Sequence, residues 1–244
     1  MNMLPFILPA GFQVVLLLRL ISTGLFKRYP AFTAWVAFLA MSTAVLMAFP
    51  NRQEEGYRNA WIVSQVIGML ALFWALTELT NRILEHYPGL RRVTISGLFG
   101  LLLATAIVAG AGESVEKPVR LVLMMQSGWN AATGAYVIAL VSLATYLDPR
   151  RRMNIILHER VFAAHCAVSA GILLFAAMNY SQKEITTWIG AAAGVIFPLM
   201  WMRMNAAGEV DRRAPAKESA LAPSFAEMQA RLDRLEKLVT RSGG

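Results

Sequence analysis

Seven times along the chain a mainly apolar run of about 20 residues or more recurs, at roughly 4–26, 31–49, 59–81, 93–111, 118–147, 159–180 and 185–205. Each run is long enough to cross the hydrocarbon core of a bilayer, about 30 Å thick, as a helix rising about 1.5 Å per residue. The expected fold is therefore all-α, a polytopic membrane bundle of seven transmembrane helices. With 57% hydrophobic and 16% charged residues and a mean hydropathy of +0.49, the chain is too apolar for an ordinary soluble domain. The start, MNMLPF, carries no basic n-region and no small-residue cleavage site follows the first run, so that run reads as a retained helix.

Seven spans place the two termini on opposite sides, and the basic residues choose between the sides. One set of loops holds Lys27, Arg28, Arg82, Arg91, Arg92, Arg150, Arg151, Arg152 and Arg160, and the other holds Arg52, Arg58, Lys117, Arg120 and Lys183. The richer set, joined by the basic C-terminal tail, is cytoplasmic by the positive-inside rule, which puts the N-terminus outside. The same distribution argues against nucleic acid as the partner behind the net charge of +8, because the basic residues do not form one patch. Trp61, Trp188 and Tyr180 toward the outer ends, with Tyr146 and Trp201 toward the inner ends, suit aromatic belts. Two cytoplasmic turns share a Tyr-Pro pair, Tyr29-Pro30 and Tyr87-Pro88, where proline starts a helix without wasting a hydrogen bond. The shared pair hints at duplicated hairpins.

The most polar stretch inside a span is QSGWNAATGAY, from Gln126 to Tyr136. On a helical wheel Gln126, Asn130, Thr133 and Val137 share one face, with Gly134 beside it, while Gly128, Ala131 and Ala135 make a small-residue face opposite. A fifth span of this length, about 44 Å, exceeds the hydrocarbon core, so it is expected to tilt or project. The amides either line a midplane site or pathway, with Gln13, Thr105 and Ser169 at comparable depth and Gln65 slightly nearer the outside, or they serve as glue between helices. Neutral amides serve packing more often than transport.

Two charges lie deep in the cytoplasmic halves of their spans, Arg19 and Glu78, and the cost of an unpaired charge there suggests a mutual ion pair. His158 and His165 lie on nearly one face of the sixth span, and His86 is the only other histidine. A metal or haem site would need ligands from other helices, so His165 reads as a hydrogen-bonded histidine and His158 as an interfacial residue of the Arg-rich loop. The single cysteine, Cys166, excludes an intrachain disulfide and a multi-cysteine metal site, and no cofactor is called for. Gly190 and Gly194 form a GxxxG before Pro198 in the last span, a pattern that allows close helix packing.

After Asn205 the composition turns polar, and residues 206–223 read as a flexible cytoplasmic linker. Residues 224–241 then read as a short amphipathic helix, with Ser224 and Glu227 at capping-box spacing and Phe225, Met228, Leu232, Leu235 and Val239 along a coiled-coil seam. About two heptads are marginal alone, so the helix is expected to need a partner, another copy or a cytoplasmic protein, or to lie on the lipid surface.

Glu54, Glu55 and Arg58 in EEGYR resemble the paired glutamates of intramembrane CAAX-type proteases, but the arginine is one position too close and the run lies in an external loop. The topology resembles that of rhodopsins, yet the last span holds no lysine for a Schiff base. With these set aside, the topology and the Tyr-Pro turns resemble those of small seven-helix inner-membrane proteins of bacteria. That resemblance implies a bundle and a location and brings no activity. No phosphate-binding loop, zinc helix or serine elbow is present. The functional expectation is a non-enzymatic signalling or assembly protein that couples the bundle to a partner through the C-terminal helix. The alternative is a small-solute transporter or channel using the polar face of the fifth span.

Overall fold

The computed structural model describes residues 4–49, 54–85, 87–111, 118–147, 152–178 and 183–209. The chain divides into two units after Asp211, and the described residues all belong to the first. The seam residues Phe225, Met228, Leu232, Leu235 and Val239, most of the linker, and His86 lie outside the described residues.

Among the described residues there are seven α-helices and no strands: α1 (Leu4–Ser22), α2 (Pro30–Met47), α3 (Glu55–Ile83), α4 (Pro88–Ala111), α5 (Pro118–Leu147), α6 (Met153–Met178) and α7 (Lys183–Trp201). Five of them, α1, α2, α3, α6 and α7, are long and apolar enough to cross a membrane. The protein is a helical membrane bundle. Its outward faces carry large apolar side chains, such as Leu18, Val93 and Ile107, where a soluble protein would place charge.

The helix ends follow from local chemistry. The first helix stops at Ser22, short of the sequence expectation, because Gly24 takes a left-handed conformation (φ 72°) and the Ser22 and Thr23 hydroxyls donate to the Arg19 carbonyl at 3.1 and 2.7 Å. A 3-10 turn, Leu25–Lys27, then delivers Pro30 to the first turn of α2. The two Tyr-Pro turns are built alike: the Tyr29 carbonyl accepts the Thr33 N–H and the Tyr87 carbonyl accepts the Arg91 N–H, both at 2.9 Å. Likewise α7 ends at Trp201, after which the chain passes through Asn205 into a 3-10 turn, Ala206–Glu209.

Each helix packs on its neighbours in chain order, and α1 also packs on α7, which closes the bundle. The fifth helix is the most engaged, touching α3, α4 and α6, while α4 lies at the edge and buries Leu98 and Leu102 on one face. Where α1 meets α7, a Cβ added to Gly194 would fall 2.7 Å from Pro9 Cβ, so only glycine fits without movement. Gly190 differs, with open space around the corresponding position. Of the GxxxG pair, Gly194 is therefore the residue that sets the helix approach. Replacing Gly194 with Ala is expected to destabilise the bundle by about 1–3 kcal/mol through overpacking against Pro9. Gly190→Ala should leave it nearly unchanged; thermal unfolding of the two variants in detergent compares them.

Candidate functional site

Three helices and one turn converge at the end of the bundle that holds the Tyr29-Pro30 turn. From α2 come Phe32 and Trp35, from α6 His158, Phe162 and His165, from α7 Phe197 and Trp201, and from the turn Tyr29. Their rings form one continuous cluster. His158 sits with its ring centroid 4.4 Å from Phe32, 5.5 Å from Tyr29, 5.4 Å from Phe162 and 6.1 Å from Trp201. His165, two helical turns further along α6, lies 5.0 Å from Phe197, 5.4 Å from Trp35 and 5.7 Å from Trp201. Trp201 is the common neighbour of both histidines.

This placement corrects two sequence expectations. His158 is not an interfacial loop residue: it is 1% exposed inside the cluster, because α6 starts at Met153 and carries it a turn and a half inward. Trp201 is not in an aromatic belt either, being 3% exposed at the cluster's centre. Nor is His165 held by a hydrogen bond at Nδ1, which is buried without a partner, as are His158 Nδ1 and Trp201 Nε1. A polar group left unpartnered on burial costs about 1–3 kcal/mol. What the arrangement offers chemically is three ring nitrogens, inside an aromatic wall, whose hydrogen-bonding capacity is unspent.

A charged group secures one side of this cluster. Glu78, projecting from α3, accepts the Phe32 N–H at Oε2 (2.9 Å) and so satisfies a first-turn donor of α2, whose own preceding residue, Tyr29, provides no side-chain cap. The carboxylate is balanced by Arg82 one turn further along α3, with Arg82 Nη2 to Glu78 Oε1 at 3.6 Å. The Arg82 guanidinium lies over the Tyr29 ring, 4.6 Å from its centroid. The expected Arg19–Glu78 pair is thereby replaced. Arg19 is exposed on α1, which packs on α2 and α7, while Glu78 finds its counter-ion on its own helix.

The polar stretch of α5 is distributed over three interfaces. Gln126 Nε2 donates to Gln65 Oε1 of α3 at 2.7 Å, and Thr80 of α3 shares a 2.7 Å hydrogen bond with the Tyr136 hydroxyl. Ser127 donates to the Ala170 carbonyl of α6 at 2.9 Å. Asn130 turns back on its own helix and donates to the Gln126 carbonyl, at 2.8 Å. Thr133 Oγ1, Gln126 Oε1 and Gln13 Oε1 are buried without partners. The partner of Gln126 is thus Gln65, whereas Gln13 lies on α1 and Ser169 is half-buried on α6 beside Ala170. Among the small residues, Gly128 meets the Thr105 methyl of α4, and Gly134 lies against Cys166 and Ala167 of α6. Ala131 and Ala135 are exposed, so that face is only partly covered.

Below the cluster, Asn154 at the start of α6 grips the chain leaving α7. Its Nδ2 donates to the Asn205 carbonyl at 2.7 Å, and its Oδ1 accepts the Asn205 N–H at 3.2 Å. Met204, the residue before, is buried. At the other end, Glu55 and Arg58 of the EEGYR run form an exposed ion pair at 3.2 Å on the first turn of α3.

No known protein family matches the chain, and no curated protein and no solved structure matches it either.

Glu78→Ala, which removes a charged acceptor from the α2 N-terminus, is expected to cost about 1.5–3 kcal/mol. Glu78→Gln keeps an acceptor and should cost less, and thermal unfolding in detergent ranks the two.

Proposed function

We propose that this protein is a non-enzymatic membrane sensor or adaptor: a seven-span bundle in a bacterial inner membrane, N-terminus outside, that passes a binding event in its core to the cytoplasmic C-terminal helix. The observation that carries this reading is the grip of Asn154 on Asn205, four residues beyond Trp201. The route into the tail starts at the residue that both buried histidines share, and it is tied to α6, the helix that holds those histidines. Unspent nitrogens at His158, His165 and Trp201 give a ligand or a rearrangement something to gain there. The tail helix, residues 224–241, then meets another copy or a cytoplasmic partner, in the manner of a short coiled coil.

The test uses the full chain in nanodiscs or detergent. Deleting residues 215–244 is expected to abolish self-association and partner capture, and Asn154→Ala to weaken them. Association unchanged by the deletion sinks the adaptor reading. Association lost on deletion but unmoved by Asn154→Ala sinks the coupling route.

A second reading, a small-solute transporter or channel, draws on the unpartnered Gln126 Oε1 and Thr133 hydroxyl. On that reading, apolar replacement of Gln126, Asn130 and Thr133 together abolishes solute flux in proteoliposomes. Flux that persists removes this face from consideration.

A further inference from the structure

Around Arg82 the bundle carries an open cavity of about 460 Å³, lined by Arg28, Arg82, Arg152, Asn81, Glu85 and Trp74 among others. Three arginines from three separate segments of sequence meet there: the turn before α2, the end of α3 and the start of α6. Two carboxylates, Glu78 and Glu85, share the lining, and one of them is already committed, since Glu78 accepts the Phe32 N–H and pairs with Arg82. The cavity is therefore cationic on balance. Arg82 Nε is buried without an acceptor, and its guanidinium is held in place by the Tyr29 ring.

The second feature is what leads to this cavity. Along α3, Ile67, Leu70 and Trp74 are 44%, 61% and 54% exposed and recur at helical spacing, so they form one uncovered apolar stripe. Trp74 belongs both to the stripe and to the cavity wall. From Trp74 to Arg82 is eight residues, a rise of about 12 Å, the change from acyl-chain depth to headgroup depth in a bilayer.

We infer that this cavity is the headgroup site of an anionic phospholipid, whose phosphodiester meets Arg28, Arg82 and Arg152 while an acyl chain lies along the Ile67–Leu70–Trp74 stripe. Guanidinium groups suit phosphate oxygens because their N–H fork matches two acceptors at once. A soluble phosphate would use the arginines but not the stripe; a zwitterionic lipid would use the stripe but bring its own cation to a basic site. Only an anionic amphiphile satisfies both. This inference rests on the protein being in a membrane and is independent of the adaptor reading.

The full chain, exchanged into mixed micelles of phosphatidylglycerol and phosphatidylcholine, is examined by native mass spectrometry for retained lipid. Phosphatidylglycerol is expected to be retained on the order of tenfold more than phosphatidylcholine, a preference lost in the Arg28→Ala/Arg152→Ala variant. Arg120→Ala, on a different cavity near the other end of α3, keeps the preference. If the double variant does not fold, Arg152→Gln alone must lower the preference. No preference in the unaltered protein, or one that survives the loss of Arg28 and Arg152, overturns the assignment. So does displacement of the lipid by inorganic phosphate, which would make the ligand a soluble anion.

Discussion

The carboxylate of Glu78 is the group on which the arrangement of this end of the bundle depends. The turn between α1 and α2 is short, and while Lys27, Arg28 and Pro30 stay exposed, Tyr29 is fully buried, as are Ala31 and Phe32 in the first turn of α2. The first-turn N–H groups of a helix have no intrahelical acceptor, and Glu78 of α3 supplies one for the buried Phe32. A buried carboxylate in turn needs a counter-ion, which Arg82 provides, and the guanidinium covers the Tyr29 ring. Tyr29 packs on His158 of α6. One unsatisfied helix terminus thus dictates a sequence of contacts that fixes α2, α3 and α6 against one another.

The bundle handles its other polar groups in two ways. Along α5, Gln126, Ser127 and Tyr136 each reach a different point on α3 or α6, while Gln126 Oε1, Trp129 Nε1 and Thr133 Oγ1 stay buried without partners. Hydrogen bonds of this kind average about 0.6 kcal/mol in membranes, so together they set register more than they add stability. Around Trp201 three ring nitrogens are likewise buried with nothing to bond, with no inter-helix hydrogen bond among them. At about 1–3 kcal/mol for each unpartnered group, the unpartnered atoms of either region cost more than the α5 bonds contribute.

The seven helices were legible in the sequence as apolar runs of about 20 residues, and five of them are long and apolar enough to cross a membrane. The Tyr-Pro turns were legible for a similar reason, since proline fixes the first turn of a helix locally. Pairings were harder. Arg19 and Glu78 lie at matching depth, but depth does not say which way a side chain faces, and Glu78 had a cation one turn away on its own helix. The aromatic cluster sent no signal because Phe32, Trp35, Phe162 and Phe197 read as ordinary apolar residues of three separate stretches, and Trp201 as a belt residue. His158 was misplaced for a nearer reason: with the sixth span started at 159, it fell outside, while the helix begins at Met153. The GxxxG spacing singled out both glycines, and only the facing residue, Pro9, distinguishes Gly194 from Gly190.

The lipid site and the aromatic cluster, proposed on separate grounds, meet at one residue. Arg82 lines the cavity, pairs with Glu78 and covers Tyr29. A phosphodiester in the cavity competes with Glu78 for the same guanidinium, and any shift of that guanidinium alters its stacking on Tyr29, whose far neighbour is His158. Linkage is reciprocal: if an anion in the cavity favours one arrangement of the cluster, that arrangement must favour the anion by the same factor. The coupling is limited to the difference in how Arg82 is held in the two arrangements, which for contacts of this kind is about 1–3 kcal/mol. That is enough to bias the cluster and too little to lock it, so on the two proposals taken together an anionic lipid would set the resting point from which the bundle responds.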